Sequence, residues 1–200
     1  VIGAGPSGAQ TAFRLAEAGW KVAVFEEDAK PGLPVHCTGI VSAECYERYQ
    51  LPESLVIRPI TSFVLRSPSG QPTPVRKRHT QAYVLDRILL DQFLTERAVN
   101  AGAALFTSHS VKEAIWTGHS VEISGLYSMR QTSFNVKCRA AVIATGFGSR
   151  LARTLNLSSN SQAISGYQAV VDGCDAETVE VFTGSAFGKG GFGWIVPWQG

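Results

Sequence analysis

Val1-Ile2-Gly3-Ala4-Gly5-Pro6-Ser7-Gly8 opens the chain, and its glycines at positions 3, 5 and 8 match the pattern G-x-G-x-x-G. In that pattern the first glycine permits a tight turn from strand to helix. The second lets backbone approach a pyrophosphate, and the third lets the helix pack close on the strand. Unpaired N–H groups at the helix start then face the anion. Glycines also recur in ordinary turns, so the residues beyond the turn decide the reading. Thr11 to Ala18 predicts a helix that Gly19 can end, and Lys21 to Phe25 is a short run suited to a strand. Glu26 ends that run, where a carboxylate can accept ribose hydroxyls. A β-α-β unit with an acid at this place predicts an α/β nucleotide-cofactor protein. The acid favours a free 2′-hydroxyl, as in FAD or NAD, over a 2′-phosphate.

The rest of the composition excludes several classes. A net charge of +2 on 200 residues is too small to imply nucleic acid, and no apolar run approaches the ~20 residues that cross a bilayer. Cys37, Cys45, Cys138 and Cys174 form no Cys-x-x-Cys pair and have no histidine at ligand spacing, so no metal site is expected. His36 adjoins Cys37, but neighbours in extended chain point apart. Free thiols in a reducing, cytoplasmic compartment are the simplest account. Val1 falls where a first strand is already under way, and Gly200 follows a strand-like run with no closing helix. The expectation is a chain cut at both ends.

Along the chain, a Pro- and Gly-rich loop from Asp28 to Gly39 leads to a short polar helix from Ser42 to Tyr49. Ile60 to Leu65 and a run ending near Val75 flank Ser67-Pro68-Ser69-Gly70, which predicts a hairpin and a second module. Ile88, Leu89, Phe93, Leu94 and Ala98 recur at helical spacing, with Asp86 as N-cap and Gly102 as stop. Short strands are expected at Ala103 to Phe106, Val111 to Trp116, Val121 to Ser124 and Phe134 to Lys137, with a buried one over Ala140 to Ala144. A strand-rich tail comes next, with Ala169 to Val171, Val179 to Phe182 and Trp194 to Val196 around a glycine-rich stretch from Gly184 to Gly193. The architecture predicted is α/β, a Rossmann-like cofactor domain with a parallel sheet (1–58 and 84–156), interleaved with part of an antiparallel-sheet domain (59–83 and 157–200); the resemblance below implies that the first binds FAD and the second the substrate.

Four segments carry a resemblance. They are the opening glycine turn, Pro34-Val35-His36-Cys37-Thr38-Gly39, Leu85-Asp86-Arg87 at the head of its helix, and Gly191-Phe192-Gly193-Trp194-Ile195-Val196-Pro197. Together they resemble the p-hydroxybenzoate-hydroxylase-type flavoproteins and, within them, the geranylgeranyl reductase family. The first and third imply FAD, held by Gly3, Gly5, Pro6, Ser7, Gly8, Glu26 and Gly146. Arg87 is implied near the flavin nucleotide, where a planar fork suits phosphate or ribose oxygens. A helix start disfavours a cation, which supports that role over a merely solvated charge. The second segment implies Cys37 close to the flavin ring, either as proton donor or as a shaped contact, although a free cysteine is also a common inert hydrophobe. The fourth implies a lipid channel lined by Phe192, Trp194 and Pro197. Phe192 and Trp194 alternate and so share a strand face, as a core aromatic pair would too. The chain departs from the family pattern where Phe192 replaces a tyrosine. It departs from the superfamily pattern where Thr145 stands in place of an acid in Ala144 to Ser149. A later Gly-Asp flavin segment is expected beyond Gly200.

The resemblance implies reduction of isoprenoid C=C bonds in a geranylgeranyl group on a lipid or pigment precursor. NADPH or ferredoxin would be the external electron donor, the latter implying a partner protein. Three alternatives share the FAD fingerprint: an aromatic monooxygenase or halogenase, a quinone-linked dehydrogenase, and a flavin-binding carrier without turnover. Cys37 and Trp194 argue against the first, and no iron–sulfur ligand set supports the second. Arg76-Lys77-Arg78-His79 is a short basic run that suits a phosphate headgroup, the surface of a peripheral membrane contact, or a solvated turn.

Overall fold

A computed structural model describes residues 1–157, 164–187 and 190–198. In chain order the first half carries α1 (Pro6–Glu17), β1 (Ala23–Phe25), β2 (Ile40–Ser42), α2 (Ala43–Arg48), β3 (Val56–Ile60), β4 (Ser62–Arg66), β5 (Pro72–Arg76), β6 (Ala82–Leu85) and α3 (Arg87–Asn100). The second half carries β7 (Ala104–Phe106), β8 (His109–Trp116), β9 (Val121–Tyr127), β10 (Thr132–Cys138), α4 (Arg150–Thr154), β11 (Val179–Phe182) and β12 (Gly193–Ile195). The chain forms two compact units, Val1–Val35 with Ile88–Ser161 and His36–Arg87 with Gln162–Gly200.

The first unit is built on parallel pairing. β1 pairs in parallel with β7, and Ile2 bridges in parallel to Phe25 on one side and Ile143 on the other. The spatial order is therefore 143, 2, β1, β7, with the opening strand inside, as in doubly wound nucleotide folds. Its core is made of small residues. Ala4, Ala12, Ala16 and Ala98 pack with Val24 and Ala103, so α1 and α3 lie close to the strands. The antiparallel sheet β8-β9-β10 covers a second cluster of Ile2, Ala114, Ile123 and Leu151.

The second unit is antiparallel in most of its pairings. β6 lies between β2 and β3, and a four-stranded sheet runs β12-β11-β4-β5. Its β11–β4 pair is parallel, joining residues more than a hundred positions apart. The hairpin predicted around Ser67 to Gly70 is present as β4 and β5, with Gly70 N–H donating to the Ser67 carbonyl. The expected strand Ile60 to Leu65 is interrupted at Thr61, which separates β3 from β4.

Two expected strands are corrected. Ala140 to Ala144 holds one bridge, through Ile143, and is half-buried to exposed. Its described pairing runs through Ile2 alone, so one edge carries no ladder. Ala169 to Val171 pairs with nothing among the described residues and is exposed, because β-branched residues form strands only where a partner edge exists. The compact units divide the chain at 35/36 and 87/88, whereas the predicted domains divide it at 58/59 and 83/84. Pairing explains the difference, since β6 holds β2 and β3 in one sheet and Asp86 N–H donates to the Leu55 carbonyl. Residues 188 and 189 of the glycine-rich stretch lie outside the described residues.

Candidate functional site

Within the first unit the glycines of the opening turn divide by task. Gly3 has φ +99°, and a side chain there would run into the Ala144 carbonyl. A Cβ on Gly8 would run into the Gly3 carbonyl oxygen, so the helix sits on the turn at a distance only glycine permits. Gly5 differs from both. Its φ of −63° and ψ of 177° are open to any L-residue, and a Cβ there would meet nothing within 4 Å. The fold does not need a glycine at position 5, so the open space in front of it is the property that calls for one. α1 starts beside that space, its first turn carries no acidic residue, and Pro6 fills a position whose N–H would have no helical partner.

Glu26 sits against the same turn. Oε2 accepts from Ala4 N–H at 2.6 Å and Oε1 from Asp28 N–H at 3.0 Å. A carboxylate has about four acceptor positions, so each oxygen keeps capacity for a ribose hydroxyl while pinning the loop. Gly146 has φ +70°, and a Cβ there would also meet nothing within 4 Å. Beside Gly3, the hydroxyl of Thr145 is buried and makes no hydrogen bond among the described residues. The sequence marked Thr145 only as a missing acid. Its burial next to the turn shows an unused polar group, a signal only the tertiary structure holds.

Within the second unit the structure brings the Cys37 segment and the Arg87 segment together. Leu85 N–H donates to the Gly39 carbonyl at 2.9 Å. Gly39 is buried at φ +79°, where a Cβ would run into the Leu85 carbonyl and approach Arg87 Cγ to 3.1 Å. The Gly39 amide donates to Cys37 Sγ at 3.4 Å, which orients an exposed thiol. In the same unit, Phe192 and Trp194 stand with ring centroids 5.8 Å apart, Phe192 exposed and Trp194 half-buried. Pro197 is buried, so it shapes the strand end rather than offering an open surface.

The two faces of the sheet β12-β11-β4-β5 differ in chemistry. One carries Arg66, whose Nε and Nη2 donate to Glu180 at 2.5 and 3.0 Å and whose guanidinium lies 5.7 Å from the Phe182 ring centroid. The Arg66 hydrogen bonds hold the Glu180 carboxyl below the usual carboxylate range, against a smaller opposing effect of burial. The other face, by strand alternation, carries Trp194, Val181, Leu65, Val179, Phe63 and Val75. No group of histidine, cysteine or carboxylate side chains among the described residues can hold a metal ion.

A glycine turn of this form at the start of α1, with Glu26 behind it, is the form of a dinucleotide-binding fold, and the FAD dependent oxidoreductase family matches residues 1–67. Two proteins named digeranylgeranylglycerophospholipid reductase align over 98% of the chain. One, from Methanopyrus kandleri, is 29% identical, and another, from Methanothermobacter thermautotrophicus, is 30% identical. The chain spans about half of their length, 53% in each case. A geranylgeranyl bacteriochlorophyll reductase-like protein from Thermoplasma acidophilum superposes with a TM-score of 0.82 at 20% identity, over 99% of this chain and 52% of that one. The chain is thus similar over nearly all its length to proteins named as geranylgeranyl-lipid reductases, and over residues 1–67 it matches the FAD dependent oxidoreductase family.

Proposed function

We propose that the full-length protein reduces isoprenoid C=C bonds of a geranylgeranyl group on a lipid or pigment precursor, using FAD. The observation that carries the cofactor is Gly5, a glycine with ordinary backbone angles facing open space at a helix start. Gly3, Gly5, Pro6, Ser7, Gly8 and Gly146 form the bed for the dinucleotide, and Glu26 takes ribose hydroxyls on its remaining acceptor positions. Arg87 serves the flavin nucleotide. The residues fit the group, because open backbone, a helix N-terminus and an acceptor carboxylate meet at one turn.

Bound FAD, when reduced, supplies a hydride to one alkene carbon. The second carbon needs a proton on a fixed face, and we assign its delivery to Cys37 Sγ, oriented by the Gly39 amide. The thiol sits at the surface, where solvent can restore its proton. Phe192 and Trp194 hold the chain and exclude water, with Pro197 setting the strand end. NADPH or ferredoxin supplies the electrons to FAD. The location assigned is cytoplasmic, with peripheral membrane contact to reach the lipid. Among the described residues no helix is long and apolar enough to cross a membrane.

The test uses full-length protein, reduced anaerobically with dithionite and mixed with a geranylgeranyl lipid. Flavin reoxidation with a gain of two hydrogens in the product supports the reading. Flavin that stays reduced until oxygen enters overturns it. Cys37→Ala is expected to bind lipid normally while slowing reduction, and Cys37→Ser to restore part of the rate.

A further inference from the structure

The hairpin that joins β8 to β9 turns apolar side chains outward on both of its faces. Neighbours on a strand point to opposite faces, so a strand lying on a core buries one of each pair and exposes the other. β8 follows this rule at Ala114, which is buried, and at Glu113, which is exposed on the outer face and accepts from the Ser124 hydroxyl at 3.2 Å. The rule stops there. Ile115 is 57% exposed on the outer face, and Trp116 is 62% exposed on the core face, beyond Ala114 and Ile123, the last buried residues of the two strands before the turn. Thr117 N–H donates to the Ser120 carbonyl at 2.9 Å and closes the turn, with Gly118 at φ +90°. From Ala114 to Val121 the sequence holds no carboxylate, lysine or arginine.

A second exposed indole lies at the same end of the unit. Trp116 pairs with Val121 and Val121 with Cys138, and Arg139, next in the chain, sets its guanidinium 4.6 Å from the ring centroid of Trp20, itself 51% exposed. Cations are in excess around it. Glu17 and Glu122 are paired, with Arg14 at 2.8 Å and Lys137 at 3.7 Å, whereas Lys21 and Arg139 make no ion pair among the described residues. β8 starts against Glu26, whose carbonyl accepts from His109 N–H at 2.7 Å, so Trp116 stands about 23 Å along the strand from the cofactor turn. Exposure on two sides decides the kind of partner. A protein would cover one face of the hairpin and leave the other side chain in water. A bilayer interface surrounds the tip, takes both side chains, and seats indoles and long cationic side chains at the level of the headgroups.

We infer that the β8–β9 tip, with Trp20 and Arg139 beside it, docks the protein on the surface of an anionic bilayer. The inference rests on the membrane contact proposed above and assigns it a place on the molecule. Ile115 and Trp116 enter the interface, and Lys21 and Arg139 meet the anionic headgroups. The cofactor turn, at the other end of β8, stays clear of the lipid.

The experiment is sedimentation of full-length, FAD-loaded protein with vesicles of phosphatidylcholine, or of phosphatidylcholine and phosphatidylglycerol in equal parts. Wild type is expected to bind both and to prefer the mixed vesicles. Ile115→Thr with Trp116→Thr keeps strand-forming residues at exposed places and should lower the partition coefficient at least about tenfold on both. Lys21→Gln should lower it about fivefold on the mixed vesicles and leave the neutral ones unchanged. Bound flavin and the melting temperature report that each variant is folded. Wild type that ignores both vesicles overturns the proposal. So does a double variant that binds as wild type does, or binding that is lost instead through Lys77→Gln in the exposed run after β5. Self-association of wild type without lipid, abolished in the double variant, overturns it too, since it marks a contact between copies. Dithionite-driven reduction of detergent-solubilised geranylgeranyl lipid should be equal in wild type and double variant. If wild type fails to reduce that lipid, the proposed function falls, while sedimentation still decides the docking surface.

Discussion

The turn at Gly3–Gly8 and the turn at Cys37–Gly39 both press backbone against backbone, yet they present different groups. In the first, Gly3 and Gly8 are locked by carbonyl oxygens while Gly5 faces open space, so what is offered outward is main chain. In the second, Gly39 is locked against the Leu85 carbonyl and the group offered is a side chain, the Cys37 thiol. A site that presents backbone must be written in glycines, because only they expose it. A site that presents one side chain leaves a single residue whose role depends on its surroundings. The first kind is therefore legible from spacing and the second is not.

The largest effect separating the two tasks of glycine should come from Gly8→Ala. Its Cβ meets a backbone carbonyl that cannot swing away, so at least about 3 kcal/mol of stability is lost and much of the protein stays insoluble. Chemical denaturation of whatever soluble fraction remains provides the check, and a wild-type midpoint would break the distinction. Gly39→Ala comes next. A left-handed residue with its Cβ against Leu85 should cost about 2–4 kcal/mol, and the proposed role of Cys37 predicts that prenyl reduction by the soluble fraction slows as its segment moves.

Glu26→Gln keeps one acceptor oxygen but loses the charge that strengthens the bond to Ala4 N–H. About 1–2 kcal/mol of stability should go, with FAD affinity falling further than that on the proposal that Glu26 also accepts from the ribose. Thermal melts with and without added FAD distinguish the two losses. Gly5→Ala sharpens the comparison most directly. Apoprotein stability should change by no more than about 1 kcal/mol, while FAD affinity drops by at least about tenfold. Equal affinity in the variant would remove position 5 from the cofactor site.

The smallest effect belongs to the polar face of the four-stranded sheet. The folded-state pKa of Glu180 is depressed by Arg66, so the pair's contribution is present above the ordinary carboxylate pKa and is lost as pH falls through the lowered value. Glu180→Gln should lower stability slightly at neutral pH and reduce its dependence on pH in the acid range. Both partners are partly exposed, and solvent screening keeps the effect small. Urea midpoints across an acidic pH series for the two proteins measure it.

Local sequence determined the β-α-β start, the roles of Gly3 and Gly8, Glu26 as the acid behind the turn, the β4–β5 hairpin and the helix after Asp86. Each depends on neighbours within about thirty residues, and steric limits on the backbone leave few alternatives there. Ala140 to Ala144 and Ala169 to Val171 have strand composition, but composition cannot supply a partner edge. The juxtaposition of Gly39 with Leu85, the buried hydroxyl of Thr145 and the apolar rows joining Phe63 to Val179 and Leu65 to Val181 and Trp194 arose only in the tertiary structure. Those rows depend on register between strands more than a hundred residues apart, and with a side-chain period of two, a slip of one residue would turn every one of them to the opposite face.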